Sequence, residues 1–314
     1  VKNSFIKNSI VWTLVVSASL LFAAMPCAAQ EYGDWSAPVP VSAVNTPGIL
    51  EGCPFISKDN QTLFFASNRP NGSGGADIWA TTREGEDAPW STPFNLGPML
   101  NSASADVCPT YTISGRYLYF VSARPGGCGG DDIYVSRLKN KKDLTSWTTP
   151  VNLGCQFNSA AHDITPSLFE DEDGTVYMYF SSNRPGGMGG MDIYVAEQLA
   201  NGMFGTAVPV AGLNTTFNDM RPNIRYRDGL EIFFESNRTG TLGFNDLYSS
   251  VRTSTSAPWS TPQNLGSIVN SAFNEGRPSL SFDGTELYFM SNRDDAANDI
   301  YVTRRSRLRG QSGK

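Results

Sequence analysis

The sequence predicts an all-β chain folded as a five-bladed β-propeller, with four-stranded antiparallel blades and the N-terminal strand completing the last blade. Three observations carry this expectation. A strand–turn–strand motif is written five times, at residues 67–79, 122–134, 182–194, 236–248 and 291–301. Its arginines, Arg69, Arg124, Arg184, Arg238 and Arg293, stand 55, 60, 54 and 55 residues apart. A fixed period of that length with several short strands per unit is the mark of a propeller. The composition agrees, with 30 Gly, 19 Pro and no sustained helical periodicity.

Residues 1–29 read as a cleaved leader rather than as part of the fold. Lys2 and Lys7 precede an apolar run at 10–24, and Cys27-Ala28-Ala29 supplies small residues for cleavage near Ala29. The run is too short for a membrane span, and Met25-Pro26 ahead of Cys27 makes a poor lipidation signal. Val1 suggests an alternative start codon, hence a bacterial gene, and the protein is expected in the periplasm or secreted. Removing Lys2 and Lys7 from the 24 Lys+Arg leaves 22 against 30 Asp+Glu, a net charge of −8. That balance argues against nucleic acid or anionic lipid as a partner. Residues 305–314 are expected to be a frayed basic tail, and residues 30–304 the propeller.

Each repeat divides into four strands. In the second they fall at 110–113, 117–122, 132–136 and 147–153. The turn between the second and third strands is glycine-rich, as at Gly186, Gly187, Gly189 and Gly190, because its backbone needs positive φ. The fourth strand recurs as WSTPFNLG from Trp90 and WSTPQNLG from Trp259. The fifth repeat lacks that strand, and residues 35–42 (WSAPVPVS) supply it, so the ring closes with no open edge.

These residues resemble a known repeat. SNRPGG, then DIY, then W-S-x-P-x-N-L-G, then Asn-Ser is similar to the WD40-like repeat called PD40, shared with TolB-type periplasmic propellers. The resemblance covers residues 35–304 and implies an exported propeller of the bacterial envelope. It identifies the repeat rather than an activity.

The repeated polar residues give two readings each. The Arg of SNR and the Asp of DIY flank one turn, so Arg69 with Asp77, Arg124 with Asp132, Arg184 with Asp192, Arg238 with Asp246 and Arg293 with Asp299 are expected as structural braces. Trp35, Trp90, Trp147 and Trp259 are expected to pack between blades. Asn45, Asn101, Asn158, Asn214 and Asn270 lie in the connections between blades. A carboxylate stands three residues before each Pro that opens an inner strand: Glu51, Asp106, Asp163, Asp219 and Glu275. Strand counting puts these at the channel mouth, on the face of the glycine turns. Cys53, Cys108, Thr165, Arg221 and Arg277 stand just before the prolines and break the symmetry. The five carboxylates with Arg221 and Arg277 form the candidate ligand face, and a calcium-like cation at the mouth is the one cofactor considered.

Cys53, Cys108, Cys128 and Cys155 map to that same face, and an exported chain is expected to pair them. Three pairings are open, and proximity favours Cys53 with Cys108 and Cys128 with Cys155. No CxxC occurs and His162 is the single histidine, which argues against a metal centre. With no GxSxG and one histidine, a serine hydrolase is disfavoured. The leading expectation is a monomeric, non-enzymatic binding or scaffold module with an envelope protein or glycan as partner. The alternatives are a five-bladed glycoside hydrolase of furanose-containing glycans, using two of the acidic positions, or a multivalent lectin.

Overall fold

The computed structural model describes residues 32–294 and 297–308. The expected leader, its cleavage point and residues 309–314 lie outside the described residues. Five four-stranded antiparallel sheets follow one another in sequence, and no helix occurs among the described residues. Blade one is β2 (Glu51–Ile56), β3 (Thr62–Ser67), β4 (Asp77–Thr82) and β5 (Phe94–Asn95). Blade two is β6 (Asp106–Tyr111), β7 (Tyr117–Ser122), β8 (Asp132–Arg137) and β9 (Val151–Asn152). Blade three is β10 (Asp163–Glu170), β11 (Val176–Ser182), β12 (Asp192–Glu197) and β13 (Val208–Pro209). Blade four is β14 (Asp219–Ile224), β15 (Glu231–Ser236), β16 (Asp246–Val251) and β17 (Gln263–Asn264). Blade five is β18 (Glu275–Leu280), β19 (Glu286–Ser291), β20 (Asp299–Arg304) and β1 (Val39–Pro40).

Second strands such as TLFFAS and YLYFVS are apolar along their length because neighbouring blades cover both of their faces. Phe64, Leu96, Leu118 and Phe120 build the core between blades one and two, and Trp147 is buried among them. Trp90, Trp259 and Trp35 pack against other inter-blade cores, each under a guanidinium 4.4 Å from its ring (Arg83, Arg252 and Arg305). The tryptophans therefore serve packing, as expected. The fourth strands are two residues long and can hold Pro40 and Pro209, since an edge strand need not donate outward. The connecting asparagines do part of the edge's work. Asn101 accepts from Ile78 N at 2.9 Å and donates to Ile78 O at 3.0 Å, and Asn158, Asn214, Asn270 and Asn45 repeat the clamp.

The ring closes as expected. Val39 pairs with Val302 and Pro40 with Tyr301. Thr303 Oγ1 donates to Ser36 O at 2.6 Å. The start of the basic tail differs from expectation. Arg305 stacks 3.9 Å from the Tyr32 ring and donates twice to Glu231 of blade four, at 2.9 and 2.6 Å. Arg305 is thus part of the closure, because Glu231 and two aromatic rings give its charge a partly buried seat.

Every inner strand carries a register shift two residues into its run. Cys53, Cys108, Thr165, Arg221 and Arg277 sit at these bulges with φ of 49°, 52°, 53°, 56° and 54°. That conformation costs a side-chain-bearing residue roughly 1–2 kcal/mol. Inner strands of adjacent blades share no sheet, and the bulges are accompanied by cross-blade bonds to side chains. Arg221 N donates to Ser181 Oγ at 2.6 Å, Ile224 N to Ser167 Oγ at 3.0 Å, Leu280 N to Asn223 Oδ1 at 2.9 Å and Ile56 N to Ser279 Oγ at 3.1 Å.

Candidate functional site

The five carboxylates expected around the mouth are sealed inside their blades. Glu51, Asp106, Asp163, Asp219 and Glu275 are all fully buried. Each pairs with the arginine of its own blade's turn: Arg69 with Glu51 at 2.8 Å, Arg124 with Asp106 at 2.5 Å, Arg184 with Asp163 at 2.5 Å, Arg293 with Glu275 at 3.0 Å, and Arg238 with Asp219. The amides of Thr46, Ser102, Ser159, Thr215 and Ser271 donate to the same carboxylates. The arginines also donate to the carbonyls of Val44, Leu100, Phe157, Leu213 and Val269. Burial raises the pKa of Glu51, against the lowering pull of Arg69 and the Thr46 amide. These five residues brace the entry to each blade, with their carboxylates buried against the arginines of their own turns.

That arrangement also corrects the expected turn pairs. The long arginine reaches back to the inner strand, whereas the short aspartate stays beneath its own turn. Asp77, Asp132, Asp192 and Asp246 accept from the turn amides of Ser73, Cys128, Met188 and Leu242. Asn95, Asn152 and Asn264 of the outer strands donate to Asp77, Asp132 and Asp246. Asp299 opens β20 at the equivalent place. The glycine turns share a face with the connecting loops, as strand counting predicts. Gly130 N donates to Ala161 O at 2.9 Å, and a Cβ at Gly189 or Gly243 would collide with the carbonyl of Phe217 or Phe273. Cys53 is bonded to Cys108 across blades one and two, with Cα atoms 4.7 Å apart. Cys128 is bonded to Cys155 within blade two, with Cα atoms 5.3 Å apart.

The bulge residues form the axial ring, and here Arg221 and Arg277 do come together. The residue that joins them, Glu235 on β15, is absent from the sequence-based expectation. Its carboxylate, 1% exposed, takes the space left by Gly276, where a Cβ would collide with it. Arg221 Nη1 donates to Glu235 Oε1, and the Arg277 amide donates to Oε2 at 2.8 Å. Arg277 Nη1 donates to Cys53 Sγ at 2.9 Å. Glu235 thus takes one guanidinium, that of Arg221, and one backbone amide, while the Arg277 guanidinium is turned to the disulfide. Burial, then the like charge of Arg221, pulls the Arg277 pKa down to about 9, with Glu235 opposing. Three buried polar atoms in this arc have no hydrogen-bond partner among the described residues: Thr165 Oγ1, Arg221 Nε and Arg277 Nε. The signal for Glu235 was present in the sequence. At this strand position the other repeats carry Ala66, Val121, Ser181 and Met290, so a lone carboxylate stands where uncharged side chains recur.

On the glycine-turn face, His162 Nδ1 lies 2.8 Å from Asp131 Oδ2, and both side chains are substantially exposed. The loop is held by Asn183, whose Oδ1 accepts from His162 N at 2.9 Å. Among the described residues no group of three or more His, Cys, Asp or Glu is arranged for a metal ion. The cation considered at the mouth has lost its ligands to the five arginines. A narrow pocket is lined by Phe55, Tyr111, Tyr226 and Phe282, with Lys58 as its one charged lining residue. The charged chemistry therefore belongs to the arc of Arg221, Glu235 and Arg277.

No family model and no curated protein matches the chain. Solved structures do match it. A thermostable family-43 glycoside hydrolase has a TM-score of 0.59 at 16% identity, over 86% of this chain and 94% of its own. The catalytic domain of the Coprinopsis cinerea GH62 α-L-arabinofuranosidase has 0.60 at 13%, over 88% and 98%. An α-L-arabinofuranosidase from Lactobacillus brevis has 0.57 at 15%, over 87% and 95%. These likenesses establish the five-bladed architecture. They overturn the expected membership of the PD40 and TolB-type propellers, which the absence of a family match leaves unsupported. The expected non-enzymatic envelope scaffold loses its support with that resemblance: these three matching structures are a family-43 glycoside hydrolase and two arabinofuranosidases.

Proposed function

We propose that the chain acts on furanose-containing glycans as a propeller glycoside hydrolase, with the sugar entering at the axial arc. The observation that carries this reading is Glu235, a carboxylate brought to the axis between the Arg221 guanidinium and the Arg277 amide where other repeats hold uncharged side chains. The likeness to arabinofuranosidase propellers supports it. Hydrolysis of a glycosidic bond uses two carboxyl groups, one giving a proton to the leaving oxygen and one acting on the opposite face of the sugar. Glu235, whose two oxygens are engaged by donors, is assigned the second role. Asp131, exposed beside His162 on the glycine-turn face, is the carboxyl group tested for the first. Sugar binding without cleavage is the second reading, favoured by the sealing of all five repeat carboxylates.

The test is sugar release from arabinan, xylan and aryl furanosides by wild type, Glu235→Gln and Asp131→Asn. Release by the wild type that both variants abolish supports hydrolysis. Glycan binding without release on every substrate assigns the chain as a lectin. Neither binding nor release refutes both readings.

A further inference from the structure

The axial arc is unbalanced in charge and in hydrogen bonding. Thr165, Arg221 and Arg277 occupy the bulges of three consecutive blades, while the other two bulge residues are joined as Cys53–Cys108. Glu235 pairs with the Arg221 guanidinium and takes only the backbone amide of Arg277, leaving one positive charge in excess. The Arg277 guanidinium donates to a disulfide sulfur, a weak acceptor. Thr165 Oγ1 and both Nε atoms are buried with no partner. A buried donor left unmade is costly, and native structures rarely keep several in one place. A narrow pocket adjoins them, with room only for the tip of a ligand, walled by Cys53, Cys108, Thr165, Arg277 and the ring of prolines.

We infer that this arc binds a carboxylate-bearing ligand, with Arg277 and Thr165 donating to it and Glu235 holding Arg221 in place. One surplus charge matches a monoanion, and a guanidinium with a hydroxyl suits the planar oxygens of a carboxylate. A divalent cation is repelled, and the hydroxyls of a neutral sugar do not offset the surplus charge, so the acidic group is placed at Arg277 and Thr165 and any neutral furanose unit of the same glycan beside Glu235. The carboxylate belongs either to a uronate residue of an acidic glycan or to a free small carboxylic acid. The uronate source rests on the glycan reading, and the anion chemistry stands without it.

The experiment is calorimetric titration of the intact oxidised protein at fixed ionic strength. The probes are sodium galacturonate, sodium acetate, galactose and sodium chloride. Wild type is expected to bind galacturonate and to ignore galactose. Arg277→Met should weaken galacturonate about tenfold, the size of a lost charged hydrogen bond, and Thr165→Val should weaken it severalfold. Acetate binding as tight as galacturonate assigns the free acid, and weaker acetate binding assigns the uronate. Equal binding of galactose, binding of chloride alone, no binding at all, or wild-type affinity in both variants overturns the inference. If Arg277→Met fails to fold, Thr165→Val decides. Carboxylate binding without sugar release fails the hydrolase reading alone, and release without carboxylate discrimination fails this one alone.

Discussion

Replacing Asp163 with alanine separates a brace from a binding residue. Asp163 is fully buried and accepts from Arg184 at 2.5 Å, from Ser159 N at 2.5 Å and from Ser159 Oγ at 2.8 Å. Removing one partner of a buried ion pair costs about 3–5 kcal/mol, because the other charge stays behind. The Arg184 side chain keeps 14% exposure, which lets water soften that cost toward the lower end. The stranded Ser159 amide adds about 1 kcal/mol. A loss of about 4 kcal/mol in a domain of this size lowers the melting temperature by roughly 10 °C. Thermal unfolding followed by circular dichroism reads this directly. Adding Arg184→Met should restore part of the loss, since the uncompensated charge is gone. A single variant that melts within roughly 2 °C of wild type would refute the brace, given the expected slope of about 2–4 °C per kcal/mol.

Cys53 and Cys108 close a loop of 55 residues, and Cys53→Ala with Cys108→Ala should lower unfolding free energy by about 4 kcal/mol. Urea titration measures it, and a midpoint that neither the double variant nor added reductant moves would contradict the bond. Asp283 predicts an acid-sensitive contribution. Burial raises its carboxyl, but hydrogen bonds from Ser281 and Thr285 outweigh that and leave the pKa below the usual 3.8. A depressed folded pKa adds stability above the unfolded value and loses it as pH falls through the folded one. Asp283→Asn should therefore flatten the stability curve below about pH 4 and be most destabilising near neutrality; an unchanged slope argues against it.

Blade number, ring closure and disulfide pairing were legible because they depend on period and on face, which a repeat displays openly. Residues 35–42 look like the other outer strands, so their destination could be read without coordinates. The partner of each arginine was not legible, because Asp77 lies nearer to Arg69 in the sequence than Glu51 does, and only side-chain length and direction decide between them. The bulges were hidden as well. Positive φ is usually announced by Gly or Asn, yet here Cys, Thr and Arg adopt it at 53, 108, 165, 221 and 277. Glu235 was hidden for another reason: its carboxylate reaches the axis through the gap that Gly276 leaves in the next blade, and no spacing in the sequence brings those two residues together.

Four blades are each cut from one stretch of chain, and the fifth is stitched from two. The seam consists of the β1 pairing, the Asn45 clamp on Ile300 and the Arg305 stack over Tyr32 and Trp35. None of these contacts requires both sides to belong to one molecule. A tethered segment competes with its counterpart on another copy at an effective concentration of order millimolar. Dilute protein should therefore stay self-closed, while crowding, or mild denaturant that frees the two-residue β1 first, would let two molecules exchange segments into a dimer that buries no new surface.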